Sequence, residues 1–209
     1  NNNEILSGTV NGQFNLGLNE RNFALTSDLN IDSLSFLGSN LGNLNVNAAR
    51  ESASLFSLEA ILQGNGNNLE IVGDVESASE NTNLDLTLNM NNLNLETMQG
   101  PLQGTVSDLT GAMQGQLNVG GTGSAPTIDG SLEFLQANFL IDYLGTSFFL
   151  QNEEISFSEE GIVLSEFNLV DANDNVATID GTIFTKSYQD LSFDLDITTR
   201  SFKALDSDP

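Results

Sequence analysis

This sequence predicts an all-β protein, drawn out as one elongated sheet of successive hairpins, and three observations predict it. Apolar residues recur at every second position through most of the chain. In NLDLTLNMNNLNL (83–95), leucine or methionine alternates with asparagine, aspartate or threonine until Asn91-Asn92 breaks the rhythm. Side chains of a strand point to two faces in turn, so this period makes one apolar and one polar face. Turn-forming clusters punctuate the runs, and the chain holds only three prolines. That suits an extended sheet, which loses a ladder hydrogen bond wherever proline enters.

Alternating runs appear at FALTSDLNI (23–31), SLFSLEAIL (54–62), LDLTLNM (84–90), GSLEF (130–134), EISFS (154–158), IVLSEFNL (162–169) and LSFDLDI (191–197). An amphipathic helix would instead space its apolar residues three and four apart. Turns are expected at Gly64-Asn65-Gly66-Asn67-Asn68, Ser124-Ala125-Pro126, Glu159-Glu160-Gly161 and Asp171-Ala172-Asn173-Asp174-Asn175. Residues 48–53 and 97–110 carry no clean period, and ETMQGPLQGTVSDLTG is expected to form a short helix or a loop. Little helix is expected elsewhere.

The chain repeats itself. A shift of 103 positions carries Gly8, Gly12, Gln13, Asn15 and Gly17 onto Gly111, Gly115, Gln116, Asn118 and Gly120. It also carries Leu29, Phe36, Leu37, Leu41 and Gly42 onto Leu132, Phe139, Leu140, Leu144 and Gly145. Beyond that the match fades, and Gly73 meets Gly181 only after a small insertion in the second copy. Units of about a hundred residues stacked in this way build a solenoid-like sheet. Residues 1–80 are read as the first unit and 81–209 as the second, continuous with it.

Composition removes many functions. Five Lys+Arg stand against 29 Asp+Glu, for a formal charge of −24. Nucleic-acid binding needs cations to neutralise phosphates, and flat docking on anionic lipid needs the same. Histidine and cysteine are both absent, which excludes the usual zinc sites, thiol nucleophiles, histidine-dependent triads and disulfides. No apolar run approaches the roughly 20 residues of a membrane helix. The NNNEIL start and LDSDP end are read as the limits of a segment from a longer protein.

Motifs that might carry chemistry give way to structural readings. Asp171 to Asn175 begins like a calcium loop, but its sixth position is Val176, not glycine, and its twelfth is Thr182, not glutamate. It is read as a turn with solvated acids. Glu153-Glu154 and Glu159-Glu160 suggest paired carboxylates, yet adjacent strand residues face opposite sides, so both doublets are read as solvated hairpin flanks. Gly120-Gly121-Thr122-Gly123 lacks the Lys-Ser/Thr of a phosphate loop and is read as a turn. No catalytic residue, metal site or cofactor site is expected.

The second copy reads GAMQGQLNVGGTGSAPTIDGSLEFLQANFLI from Gly111, followed by strands that close on ATIDGTI (177–183). A strand ending Val-Gly-Gly-Thr-Gly, then Ser-Ala-Pro, then Asp-Gly-Ser-Leu opening the next strand, resembles the C-terminal region of TamB. TamB is the inner-membrane subunit of the translocation and assembly module and belongs to the AsmA-like envelope protein family. The first copy departs in having Phe23 where the shift would place Pro126, and asparagine fills many outer positions that are charged in the family.

The resemblance implies an elongated, curved antiparallel or mixed β-sheet forming an open trough, the β-taco, with an apolar concave face. It implies a non-enzymatic role in carrying phospholipid between inner and outer membranes, in assembling outer-membrane proteins, or in both. The partner would be an outer-membrane barrel of the TamA/BamA type. The setting would be the periplasm, within a longer chain anchored in the inner membrane.

The groove lining is expected from Leu84, Leu86, Leu88, Leu132, Phe134, Phe139, Ile155, Phe157, Leu164, Phe167, Leu169, Phe193 and Leu195. On its own, such a stripe more often faces a closed sandwich or barrel core; the resemblance favours an open groove. At the usual strand spacings, roughly 14 strands of seven residues would make a ribbon about 65 Å long and 23 Å wide. The alternative function is a structural or adhesive β-repeat segment of a secreted or surface protein.

Overall fold

The computed structural model describes residues 5–19, 22–77, 81–186 and 190–205. In chain order the strands are β1 (Leu6–Asn19), β2 (Asn22–Phe36), β3 (Ser39–Arg50), β4 (Leu55–Gly64), β5 (Asn67–Ser77) and β6 (Thr82–Asn94). They continue as β7 (Val106–Thr122), β8 (Ala125–Ile141), β9 (Thr146–Ser158), β10 (Gly161–Asp171), β11 (Val176–Lys186) and β12 (Asp190–Thr199). All twelve lie in one sheet in sequence order, from β1 at one edge to β12 at the other. Every pairing is antiparallel, so the expected mixed pairing is absent among the described residues. The sheet does not close: it is an open trough.

The strands are fewer and longer than the ribbon estimate supposed, running from 10 to 17 residues. Alternation alone marked only their most regular stretches. The segment around 97–110 divides: Leu95–Met98 form one 3-10 turn, loops follow, and β7 begins at Val106. Residue 80 lies outside the described residues, but β5 and β6 on either side of it pair directly.

Turn chemistry fixes the hairpins. Asn65 and Gly66 both take positive φ, 51° and 84°, which a tight two-residue hairpin requires. Glu159-Glu160 link β9 to β10 as expected. Gly120-Gly121-Thr122 correct their reading, because they lie within β7 and the turn falls at Gly123-Ser124. Ala125 and Pro126 are likewise already in β8. Glu153-Glu154 sit in the middle of β9 rather than beside a hairpin.

Register aligns the apolar positions across the whole sheet. One row runs through Gly12, Leu29, Val46, Ala60, Ile71, Leu88, Leu117, Gly130, Phe157, Ile162, Ile183 and Phe193, touching all twelve strands. The row beside it on the same face runs through Val10, Ile31, Leu44, Leu62, Leu69, Met90, Gly115, Leu132, Ile155, Leu164, Gly181 and Leu195. The intervening row faces the other way and is mostly polar. Within it Asn89 Nδ2 donates to Glu70 Oε2 at 3.0 Å and Gln116 Nε2 to Asn89 Oδ1 at 3.0 Å.

A line of bulges creases this sheet. The apolar alternation steps from odd to even in β2 (Leu29, Ile31, then Leu34, Phe36) and from even to odd in β6 (Leu88, Met90, then Leu93). It steps again in β8 (Leu132, Phe134, then Ala137, Phe139) and in β10 (Leu164, then Phe167, Leu169). Register shifts or left-handed residues mark these places: Ser33 at φ 53°, Met90/Leu93, Gln136 at φ 47° and Glu166 at φ 48°. A bulge inserts an unpaired residue and bends its strand. The Asn91-Asn92 break in the sequence rhythm is one of them.

Bending is visible in the packing. Leu150 and Phe157 of β9 line the same cleft, although seven residues of straight strand would separate them by about 24 Å. Glycine permits the curl where backbones crowd. A Cβ on Gly73 would lie 2.0 Å from the Asp85 carbonyl oxygen, at φ +147°.

Where the crease opens the ladder, carboxylates fill it. Between Ile155↔Leu164 and Phe149↔Val170 no β9–β10 register is kept. There the Asn168 N–H donates to Glu153 Oε2 at 2.7 Å, and the Glu166 N–H donates to Asp180 Oδ1 at 2.7 Å. Glu153 is therefore a structural acceptor and not a solvated flank. Asn67, which is buried, ties the β4–β5 turn to the 3-10 turn. Its Nδ2 donates to the Leu41 carbonyl at 2.8 Å, and its Oδ1 accepts the Asn94 N–H at 2.9 Å.

Two substitutions test these roles. Asn67→Ala strands buried backbone groups and should cost about 2 kcal/mol, read from the urea midpoint at unchanged m-value. Gly73→Ala forces two backbones apart and should cost about 3 kcal/mol or more in the same titration. A cost below about 0.5 kcal/mol for Gly73→Ala would mean that the sheet is not tightly curled there.

Candidate functional site: an apolar cleft along the trough

The candidate site is the concave face. Its centre is a cleft of about 400 Å³ lined by Leu93, Leu95, Met98, Leu102, Val106, Leu109, Met113, Leu132, Phe134, Ala137, Phe139, Leu150, Ile155 and Phe157. Every lining residue is apolar. These residues come from β6, β7, β8 and β9, from the 3-10 turn and from the segment after it. Phe134 meets Phe167 edge-on at 6.4 Å between ring centres, and Phe139 meets Phe148 at 5.9 Å.

The trough is not a sealed core. Among the described residues no large side chain is fully enclosed; Ala137, at 1% exposure, is the most buried apolar residue. Toward the two ends of the sheet the same face lies bare, with Phe14 67% and Phe193 75% exposed. Among the described residues the strands form one sheet that does not close, so the sandwich or barrel reading fails.

The thirteen residues expected to line the groove all fall on this face, but not all at the cleft. Leu132, Phe134, Phe139, Ile155 and Phe157 line it. Leu88, Phe167 and Leu169 pack against the cluster around it. Leu164 pairs with Gly181 across β10 and β11. Leu84 and Leu86 lie toward the far end of β6. Phe193 and Leu195 stand on the edge strand β12.

Sequence reasoning missed Leu93, Leu95, Met98, Leu102, Val106, Leu109, Met113, Ala137 and Leu150. Most of these lie beyond the bulges or in the loop, where period two no longer marks a face. The four residues Met98, Leu102, Val106 and Leu109, three to four apart, were the available signal.

The segment after β12 folds back onto β9 and the β10–β11 turn. Phe202 stacks on the buried Phe148 with ring centres 5.7 Å apart and planes at 13°. The Lys203 N–H donates to Asp171 Oδ2 at 2.7 Å, pinning the segment to the β10–β11 turn.

Asp171 corrects the reading of that turn as a set of solvated acids, since its side chain is buried. Its Oδ1 also accepts the N–H groups of Asn173 and Asn175 at 2.8 and 2.9 Å, and Asn175 Nδ2 donates to its Oδ2 at 3.0 Å. Burial acts to raise the Asp171 carboxyl, but the Lys203, Asn175 and Asn173 donors outweigh it and hold the group at about 2. Its lone pairs are spent on N–H donors. Among the described residues no cluster of acids is placed to hold a metal ion, and no helix is long and apolar enough to cross a membrane.

Protein-family models, curated proteins and solved structures offer no match to this chain.

The Asp171 clamp gives a pH test. A carboxyl lowered from 3.8 to about 2 contributes stability that is complete above pH 3.8 and lost as pH falls through 2. The Lys203 amide should therefore keep its protection at pH 5 and lose it between about pH 4 and 2, followed by NMR-detected hydrogen exchange. Asp171→Asn should weaken that protection at pH 5. Full protection in the variant would show that the carboxylate is not the clamp.

Proposed function

We propose that this chain is a non-enzymatic lipid-conducting module, in which phospholipid acyl chains lodge along the concave face of the trough. One observation carries the reading: a wholly apolar cleft of about 400 Å³ continues into apolar rows that cross all twelve strands and lie bare toward the two edges of the sheet. Each methylene of an acyl chain that leaves water gains about 0.8 kcal/mol. A wall without polar fixtures holds tails along its length and grips none at a single point, as passage requires. The convex face, rich in Asn, Asp and Glu, keeps the assembly wet on its outer side.

The sequence resemblance to TamB supports a setting in the bacterial envelope, in the periplasmic part of an inner-membrane-anchored chain. The module carries lipid between the two membranes, or aids outer-membrane protein assembly beside a TamA/BamA-type barrel. Nucleic acid is not a partner, since the charge of −24 repels phosphate.

Extraction and mass spectrometry test this. Purified chain should carry phospholipid, and a photocrosslinking phenylalanine analogue at Met113 should label acyl chains. Leu102 stands at the rim, 36% exposed, so Leu102→Arg should leave the fold intact. It should lower the bound lipid about tenfold, equivalent to about 1.4 kcal/mol. A protein free of lipid, with no acyl adduct, would leave the structural or adhesive reading.

A further inference from the structure

We propose that the cleft is a single-chain subsite, taking one acyl chain of about sixteen carbons, and that Ala137 sets its depth. This rests on the acyl-chain reading above and adds the class of chain and the residue that measures it. A two-chain phospholipid then lodges one tail in the cleft and leaves the other on the open rows outside.

Capacity follows from volume. An apolar cavity of about 150 Å³ holds one benzene, so each carbon of a bound hydrocarbon takes about 25 Å³. The cleft offers about 400 Å³, which is room for roughly sixteen carbons and not for both tails of a phospholipid. Its flanks are filled by the protein's own side chains. Leu69 from β5, and Phe167 and Leu169 from β10, pack against the cluster around it, and these strands flank β6 to β9 in the sheet. The lining holds no polar side chain, so nothing inside it receives a headgroup, and the head stays at the rim beside Leu102.

The repeat shows what sets the depth. Ala137 lines the cleft at 1% exposure, on a strand that also contributes Leu132, Phe134 and Phe139. Its counterpart 103 residues earlier is Leu34, itself buried at 7% exposure. The two places match in structure as well as in sequence. Val10↔Ile31 and Gly12↔Leu29 correspond to Met113↔Phe134 and Gly115↔Leu132. The left-handed residue just ahead is Ser33 at φ 53° in the first copy and Gln136 at φ 47° in the second. Further along the copies slip: Gly181 comes level with Ile71, so the expected Gly73–Gly181 match is two residues out. At the bend itself, one backbone geometry carries a leucine in the first unit and a methyl group in the second. Ala137 thereby yields the space of three carbons to the cleft.

Affinity reads out this geometry. A methylene enclosed by the cleft leaves water on all sides and strengthens binding about fourfold. Past the cleft a tail lies on an open row with water over it, and each further methylene gains at most about twofold. Lysophosphatidylcholines with chains of roughly ten to twenty carbons can be titrated calorimetrically into the wild-type chain, each below its micelle concentration. The rise in affinity should break near sixteen carbons, with one lysolipid bound per chain ahead of any weaker ones.

Two variants should move the break in opposite directions. Ala137→Leu restores the side chain that the first unit already holds at this bend, and should bring the break down to about thirteen carbons. Met113→Ala removes three heavy atoms from the lining and should take it up to about nineteen. A variant that merely loosened the fold would weaken binding at every length alike and leave the break in place. Should Ala137→Leu fail to give the wild-type circular dichroism spectrum, the upward shift in Met113→Ala decides alone.

No binding at any chain length would overturn the acyl-chain reading and the subsite with it. An unbroken rise through twenty carbons would overturn the subsite alone, as would several lysolipids held equally well. So would a break that stays near sixteen carbons in every folded variant.

Discussion

A strand that takes in an extra residue at a bulge can keep its apolar residues on the concave side only if its apolar pattern changes parity at the same place. Side chains alternate strictly, so an inserted residue without that step would carry the next leucines outward. The rest of this structure depends on that constraint. The bulges in β2, β6, β8 and β10 each supply the extra residue, and each falls just beyond one apolar row, the row that holds Ile31, Met90, Leu132 and Leu164. One crease follows from four local events, and the cleft lies along it.

The crease also explains where polar groups enter the apolar side. An unpaired residue leaves backbone N–H groups without ladder partners, and an unpaired buried donor costs about as much as a lost hydrogen bond. Glu153 and Asp180 answer that cost in β9 and β11 by accepting the Asn168 and Glu166 N–H groups. Asn67 does the same at the end of the β4–β5 hairpin. Acids and amides that resemble candidate catalytic groups in sequence thus serve the backbone.

Much of this was legible in the sequence. Period two gave the strands, Asn-Gly and the Glu159-Glu160 doublet gave turns, and the Asn91-Asn92 interruption of the rhythm, unassigned in the sequence, falls at a bulge. All thirteen apolar residues singled out fall on one face. What stayed hidden was long-range. Leu109 and Leu150 join the cleft because distant bends bring them over Leu132, and nothing local in VSDLTG or FFLQNE reports a bend. Asp171 looked like a solvated turn acid because the donor that buries it, Lys203, lies 32 residues further on.

Strict succession of neighbours has a kinetic side. Each strand pairs with the one made just before it, so no distant loop must close before pairing begins. Such a molecule can grow by addition, one hairpin upon the last, as the polypeptide emerges from a ribosome or a secretion channel. Loss of structure would run the same course in reverse, peeling inward from β1 or β12 while the middle hairpins hold.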